Sequence, residues 1–373
     1  MVMPLIGRCI AAVAGALLVL TAATSVIGTL IVPRPVGGRL TGWVDRIVDG
    51  TFHLVTVRID DYRRRDHVLA GQAAALLLAQ LIAWLGIFFV GYSLLLWPFV
   101  TGGVTTAFTT AGPAVWEIGS AAAHGAAERA ILDVASLTGI VTVTLQIAYL
   151  PTLYSAFNRR ETEVALLNAR AGVPSWGPEL LARTHYALGS GVSAIDTLPD
   201  LYAMWERWAS DVAESHTTYL PLVRFRSPRP LSSWVTALLA VLDSAALFLS
   251  LSPKAAPTVP ARLCLRSGFL CFNQVARAMG IEVAEEPDPS RGISLTYEEF
   301  LDAVKRMRGV DFPIERDPAD AWPDFVGWRV NYERSAYALT FAVDAVPALW
   351  SGSRRHRTPA IAPIRPARGK PPT

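Results

Sequence analysis

The sequence predicts an all-α membrane protein with three transmembrane helices, a re-entrant pore-like loop between the second and third, and an α-helical cytoplasmic domain. Of its 373 residues, 52% are hydrophobic and only 17% are charged, below the roughly 25% charged residues of a soluble domain. Three long stretches are almost free of charge, and residues 157–352 have no alternating strand pattern longer than four residues. The net charge of +3 is too small to indicate nucleic acid as a partner.

The first uncharged stretch, residues 9–32, predicts a membrane anchor over residues 1–32. As a helix it would extend about 36 Å, enough to cross a hydrocarbon core of about 30 Å. A cleaved signal peptide is the alternative, because Arg8 precedes the stretch. Signal peptides have an apolar core of roughly 7–15 residues, so the longer run favours a retained anchor.

The next two stretches, residues 69–100 and 130–150, predict the second and third spans. Seven arginines lie in residues 33–68, and the loop between these spans holds only Arg129. Because cytoplasmic loops are enriched in basic residues, we expect a multi-pass protein of the cell membrane, in contact with the lipid bilayer. Its N-terminus lies outside, and residues 33–68 and everything after 156 lie in the cytoplasm.

For two further predicted helices, a position in or on the membrane competes with packing on protein. Residues 40–57 predict an amphipathic helix on the inner surface, with apolar side chains on one face. The alternative is a linker helix packed on protein. Residues 231–251 are apolar enough for a fourth span, but Asp243 lies near the middle, where insertion costs about 2.5–3.5 kcal/mol. We therefore expect a buried central helix of the cytoplasmic domain. The apolar positions of the amphipathic helix are Trp43, Val44, Ile47, Val48 and Phe52.

The loop of residues 101–129 predicts a re-entrant segment. Residues 104–111, which include Thr110, are apolar or hydroxyl-bearing and uncharged, and they predict a half-helix that ends at Gly112 and Pro113. Extended chain is expected from Ala114 to Ser120. Irregular backbone at membrane depth is tolerated only where protein covers it or water lines it, so a span, a re-entrant loop and a span form the geometry of an ion pore.

This order of parts in residues 69–156 resembles the pore-loop cation channels of the potassium-channel superfamily. Residues 145–154 (LQIAYLPTLY), 156–161 (AFNRRE) and 225–228 (FRSP) resemble a group of actinobacterial membrane proteins with such a pore module. The channel filter has a Thr-Val-Gly-Tyr-Gly run, and the aligned residues here are Glu117, Ile118, Gly119 and Ser120, of which only Gly119 matches. The resemblance implies a homotetramer that passes monovalent cations with poor selectivity.

Acidic residues lie near the mouth of such a pore. Glu117, Glu128 and Asp133 outnumber Arg129, which leaves two net negative charges per subunit that attract cations. The alternative is an ordinary extracellular linker with three solvated acids. Gly139 in the third span is a candidate gating hinge, although small residues in spans more often allow close helix packing.

The segment of residues 157–352 predicts a helical cytoplasmic domain without catalytic residues, so we do not expect an enzyme. Asp211, Glu214 and His216 do not share the helical spacing of metal ligands, and no metal site or cofactor is predicted. Cys264 and Cys271 are expected in the core. A capping box is expected at residues 296 and 299, and residues 353–373 predict a disordered, basic, proline-rich tail.

One alternative belongs to a different functional class. The chain is then a membrane-anchored helical scaffold or interaction protein, and its pore-like loop does not conduct.

Overall fold

The computed structural model describes residues 2–32, 38–116, 123–186, 194–283, 292–356 and 358–365. Over these residues the chain is helical without strands, apart from an isolated bridge between Ala348 and Ile361. It divides into two compact units, the first from residues 1–53 and 71–155, the second from residues 54–70 and 156–373. The helices are α1 (Val2–Leu30), α2 (Arg39–Thr56), α3 (Tyr62–Leu69), α4 (Gln72–Leu96), α5 (Val104–Trp116), α6 (Ala126–Ala171), α7 (Gly177–Tyr186), α8 (Leu198–Thr218), α9 (Trp234–Leu251), α10 (Thr258–Ala278), α11 (Tyr297–Arg308), α12 (Pro318–Arg329) and α13 (Glu333–Ala342).

In the first unit, α1 and α4 form an antiparallel pair with a close backbone contact at Gly15 and Gly91. A Cβ placed on Gly15 would lie 2.5 Å from the carbonyl oxygen of Gly91, so the two backbones touch at this point. Trp84 Nε1 donates a hydrogen bond to Ser25 Oγ (3.1 Å) further along the pair. Small residues permit this close approach of apolar helices.

Helix α5 packs on α4 through edge-to-face contact between Phe89 and Phe108, whose centroids are 5.4 Å apart. The prediction that this helix ends at Gly112 and Pro113 is wrong, because α5 continues to Trp116. A proline in a helix removes one backbone hydrogen bond, and the burial of Ala114 and Val115 beyond it holds the last turn in place. Residues 114–116 are therefore helical rather than extended, and residues 117–120 lie outside the described residues.

Helix α6 is 46 residues long and contains Pro151. It contributes residues 126–155 to the first unit and 156–171 to the second. It ends at Ala171, where Gly172 follows with a φ of +82°, a conformation that glycine adopts at little cost.

The second unit is built around α9. Every residue from Trp234 to Leu251 is buried, and helices α7, α8, α10, α12 and α13 pack around it. This arrangement agrees with the expectation of a buried central helix, and an all-round apolar helix requires such a position.

Two local predictions in the second unit are confirmed. Glu299 N–H donates to Thr296 Oγ1 (3.2 Å), and Thr296 N–H donates to Glu299 Oε2 (2.9 Å), which completes the capping box of α11. Cys264 and Cys271 are fully buried free thiols in the core.

The C-terminal segment differs from the predicted disorder over its described part. The Arg354 guanidinium is buried and donates to the backbone oxygens of Ala345 and Val346, each at 2.6 Å. Ile361 N–H donates to the Pro347 oxygen (2.7 Å) and Ile364 N–H to the Val173 oxygen (2.9 Å). The basic and proline-rich composition concealed this order, because the arginine bonds to backbone rather than to water. Residues 366–373 lie outside the described residues.

Candidate functional site

The candidate filter is only partly described. Glu117, Ile118, Gly119 and Ser120 lie outside the described residues. Thr110 lies within α5, and its hydroxyl donates to the Thr106 backbone oxygen (2.8 Å). Gly112 lies in the same helix, where an added Cβ would contact the Phe89 ring at 3.6 Å. In the described structure both residues therefore belong to α5, as predicted for Thr110.

The two described mouth acids have different environments. Glu128 is buried, and its Oε2 accepts a hydrogen bond from the His124 backbone N–H (2.9 Å) just before α6 begins. A carboxylate at this position accepts a hydrogen bond from a backbone N–H that no helical carbonyl can reach, and the positive end of the helix dipole stabilises its charge. Glu128 is thus a helix-terminus residue rather than an exposed mouth acid, whereas Asp133 is exposed on α6.

Gly139 occupies a close helix contact. A Cβ at this position would overlap the carbonyl oxygen of Val115 near the end of α5. One residue away, the Thr138 hydroxyl and the Tyr92 hydroxyl are hydrogen-bonded at 2.8 Å. This geometry favours the packing role of Gly139 over the hinge role.

The part of α6 in the first unit buries two polar side chains in its middle turns. Thr142 and Gln146 are buried, and the Thr142 hydroxyl donates to the Thr138 backbone oxygen (2.7 Å). The opposite face exposes Leu137 and Ile147, with 61% and 62% of their surface accessible. The exposed face of this helix is therefore mainly apolar.

In the second unit, one buried polar cluster surrounds Arg329. Its guanidinium pairs with Asp243 of α9 and with Glu333 Oε2 (2.7 Å). It also donates to Tyr337 Oη (3.0 Å) and to the Trp350 backbone oxygen (2.7 Å). A buried guanidinium requires this many acceptors, so the cluster fixes α9, α12 and α13 to one another.

A second buried cluster involves His216, for which the sequence predicts no metal. Arg160 Nη1 lies 2.9 Å from His216 Nε2, and the guanidinium also donates to the backbone oxygens of Leu222 (2.9 Å) and Phe225 (2.7 Å). Asp211 instead forms an ion pair with Arg159 (3.0 Å). Among the residues that the structure describes, no group of three His, Cys, Asp or Glu side chains is arranged to hold a metal ion.

A third cluster was not found from the sequence. Arg226 pairs with Asp66 and donates to Tyr62 Oη (2.7 Å), while Arg65 pairs with Asp344 (2.8 Å). These side chains are buried or nearly so. The FRSP motif at residues 225–228 thus contributes to the interior of the second unit. The backbone oxygen of Phe225 accepts a hydrogen bond from Arg160, and the Arg226 guanidinium donates to the backbone oxygen of Asp344.

An open cleft of about 660 Å³ lies between α6 and α8 in the second unit. Met204 and Trp208 are among its lining residues, together with acidic and basic side chains. Clefts of this size are common binding sites, and the mixed charge suits a charged protein surface better than a small apolar molecule. The charged lining residues are Arg159, Glu163, Asp200, Arg207 and Asp211.

No family model, curated protein or solved structure matches this chain. The class of protein therefore rests on its own fold and surface. Among the described residues, four helices are long and apolar enough to cross a membrane. They are compatible with an integral membrane protein of the multi-pass type.

Proposed function

We propose that the protein is a membrane-anchored helical scaffold, in which α1, α4 and the first part of α6 cross the bilayer. The observation that carries this proposal is a contrast in exposure. Leu17 of α1, Leu78 of α4 and Leu137 of α6 are 60%, 58% and 61% exposed, whereas α9 is wholly buried in protein. Large apolar side chains in this density on three helices require an apolar medium.

The orientation of the scaffold follows from its arginines. Residues 33–68 and the chain after residue 156 lie in the cytoplasm, because the basic residues concentrate there. The N-terminus and the loop of residues 101–129 then lie outside. Cysteine labelling at residue 117 and near the C-terminus with a membrane-impermeant reagent tests this topology. Labelling of the C-terminal position in intact cells contradicts it.

The second unit supplies the interaction function. The charged side chains of the three buried clusters described above bond to other groups of the same chain. We infer that these clusters stabilise the fold rather than perform chemistry. The cleft between α6 and α8 presents Arg207 and Asp200 to solvent, and it is the surface at which we expect a charged protein partner. The proposed role is therefore non-enzymatic, and it needs no cofactor.

A second candidate function is a channel-like pore of low cation selectivity. It is favoured by α5, whose 13 residues extend about 20 Å, too short to cross a bilayer, and which packs on α4 between two long helices. Such a module needs four subunits to close a pore. The inward-facing Thr142 and Gln146 argue against a wet lumen on the exposed face of α6.

One experiment separates the two functions. The protein in mild detergent is sized by light scattering, and cation flux is measured in liposomes for the wild type and for Glu117→Gln. A monomer or dimer without flux supports the scaffold. A tetramer whose flux falls in Glu117→Gln, but not in the exposed control Glu298→Gln, supports the pore and overturns the scaffold as the principal function.

A further inference from the structure

Helix α2 exposes large apolar side chains on the face opposite its two aspartates. Asp45 and Asp49 lie on the face turned towards α4, whereas Trp43 and Ile47 on the opposite face are 62% and 56% exposed. Asp45 and Asp49 are four residues apart, as are Trp43 and Ile47, and residues four apart share one side of a helix. The sequence placed Val48 with Trp43 and Ile47, but Val48 is buried at 8% exposure and belongs to the inner face.

Two side-chain hydrogen bonds fix this orientation. Gln72 Nε2 donates to Asp49 Oδ1 (2.7 Å), and Gln80 Nε2 donates to Asp45 Oδ1 (3.2 Å). Gln72 and Gln80 are about two turns apart on α4, and Asp45 and Asp49 are about one turn apart on α2. Helix α2 therefore lies beside the beginning of α4. Gln80 is itself buried at 4% exposure, which makes these bonds specific contacts between the helices.

An amphipathic helix on a water-soluble protein turns its apolar stripe inward and its acids outward, because water solvates the carboxylates. The exposed Trp43 and Ile47 of α2 are therefore stabilised where the outer face meets an apolar medium. Arg46 is also exposed, and its guanidinium carbon lies 5.9 Å from the centroid of the Trp43 ring. Tryptophan beside arginine is typical of the boundary between lipid headgroups and acyl chains.

We propose that α2 lies in the headgroup boundary of the bilayer, with lipid acyl chains covering Trp43 and Ile47 and Arg46 facing lipid phosphates. This inference rests on the proposed membrane function and adds a lipid contact outside the three spans.

The test uses spin labels on the full chain in lipid nanodiscs. Cys9, the exposed thiol, is first replaced by serine, since Cys264 and Cys271 are buried. Single cysteines then replace Trp43, Ile47 or Gly50, and the collision rates of the label with oxygen and with a water-soluble nickel chelate are measured. We expect labels at these positions to collide with oxygen several-fold more, relative to nickel, than a label at the exposed Asp302.

Leu17→Cys on α1 is the reference that separates this inference from the proposed function. A nickel-accessible label at residue 17 defeats the membrane assignment itself. A lipid-exposed label at residue 17 together with nickel-accessible labels at 43, 47 and 50 overturns only the role of α2. Low collision rates with both reagents at those three positions also overturn it, because protein rather than lipid then covers α2. Circular dichroism of each variant excludes unfolded samples.

Discussion

Arg160 and His216 form a fully buried hydrogen bond, with 2.9 Å between the guanidinium Nη1 and the imidazole Nε2. Arginine can only donate, so Nε2 must accept, and the imidazole is neutral with its proton on Nδ1. That nitrogen lies 3.0 Å from Ser215 Oγ. Burial, and then the positive charge of Arg160, hold the pKa of His216 well below its usual value.

This neutral histidine predicts an acid-dependent loss of stability. The unfolded chain binds a proton at His216 below about pH 6.5 and the folded chain does not. Stability is therefore complete above pH 6.5 and falls as the pH drops, by up to about 1.4 kcal/mol per pH unit. Thermal unfolding between pH 7.5 and pH 5, followed by circular dichroism in detergent, measures the slope. His216→Gln keeps an acceptor for Arg160 and flattens the slope, whereas the exposed control His67→Gln leaves it unchanged.

Glu179 predicts a second pH effect in a lower range. Burial acts to raise its pKa, but the hydrogen bonds and charges of Arg306 and Arg183, together with the charge of Arg365, lower the pKa to about 2. The contribution of Glu179 is thus present above pH 4.5 and is lost as the pH falls towards 2.

Glu179→Gln should lower stability at pH 7 by about 2 to 3 kcal/mol, since a broken buried pair costs about 3 to 5 kcal/mol and its arginines are partly exposed. The difference from the wild type should shrink below pH 4. Thermal unfolding of Glu179→Gln and of the exposed control Glu298→Gln checks both statements. An equal loss in the two variants contradicts them.

The Asp243–Arg329 pair predicts a large effect of a single charge removal. Asp243→Asn leaves Arg329 buried with one carboxylate fewer, and we expect the second unit to lose about 3 to 5 kcal/mol. Asp324→Asn is the matched control, because Asp324 also pairs with an arginine but is 56% exposed. Exposed pairs contribute about 0 to 1 kcal/mol. Similar unfolding temperatures for the two variants would show that burial does not govern the pair.

Gly139→Ala tests the contact between α5 and α6. The added methyl group overlaps the Val115 carbonyl, so the helices must separate, and we expect a lower unfolding temperature in detergent. Gly86→Ala in α4 is the control, since nothing lies within 4 Å of its added Cβ, and alanine stabilises a helix by about 1 kcal/mol relative to glycine. An unchanged unfolding temperature in Gly139→Ala would favour a flexible hinge.

The helices that the sequence predicts best are those whose signals are local. The capping box of Thr296 and Glu299 depends on two residues three positions apart. The buried position of α9 was expected from Asp243, because a carboxylate disfavours a lipid environment. Such rules act within one turn of chain or within one helix.

The contacts that the sequence did not predict are distant in the chain. Asp66 and Arg226 are separated by 160 positions, and no spacing rule joins them. The order of the C-terminal segment was missed because composition does not reveal that Arg354 binds backbone oxygens. The continuation of α5 beyond Pro113 was missed because packing of Ala114 and Val115 outweighs the intrinsic helix-breaking tendency of proline.

The burial of α9 has a consequence for biosynthesis. Arg329 follows Asp243 by 86 positions, so the ribosome synthesises this apolar segment before its counter-ion exists. At that moment the aspartate is the single charge between Trp234 and Leu251, and it opposes partition into the bilayer by about 2.5–3.5 kcal/mol. The same carboxylate therefore disfavours a lipid environment for the new helix and later receives the guanidinium of Arg329.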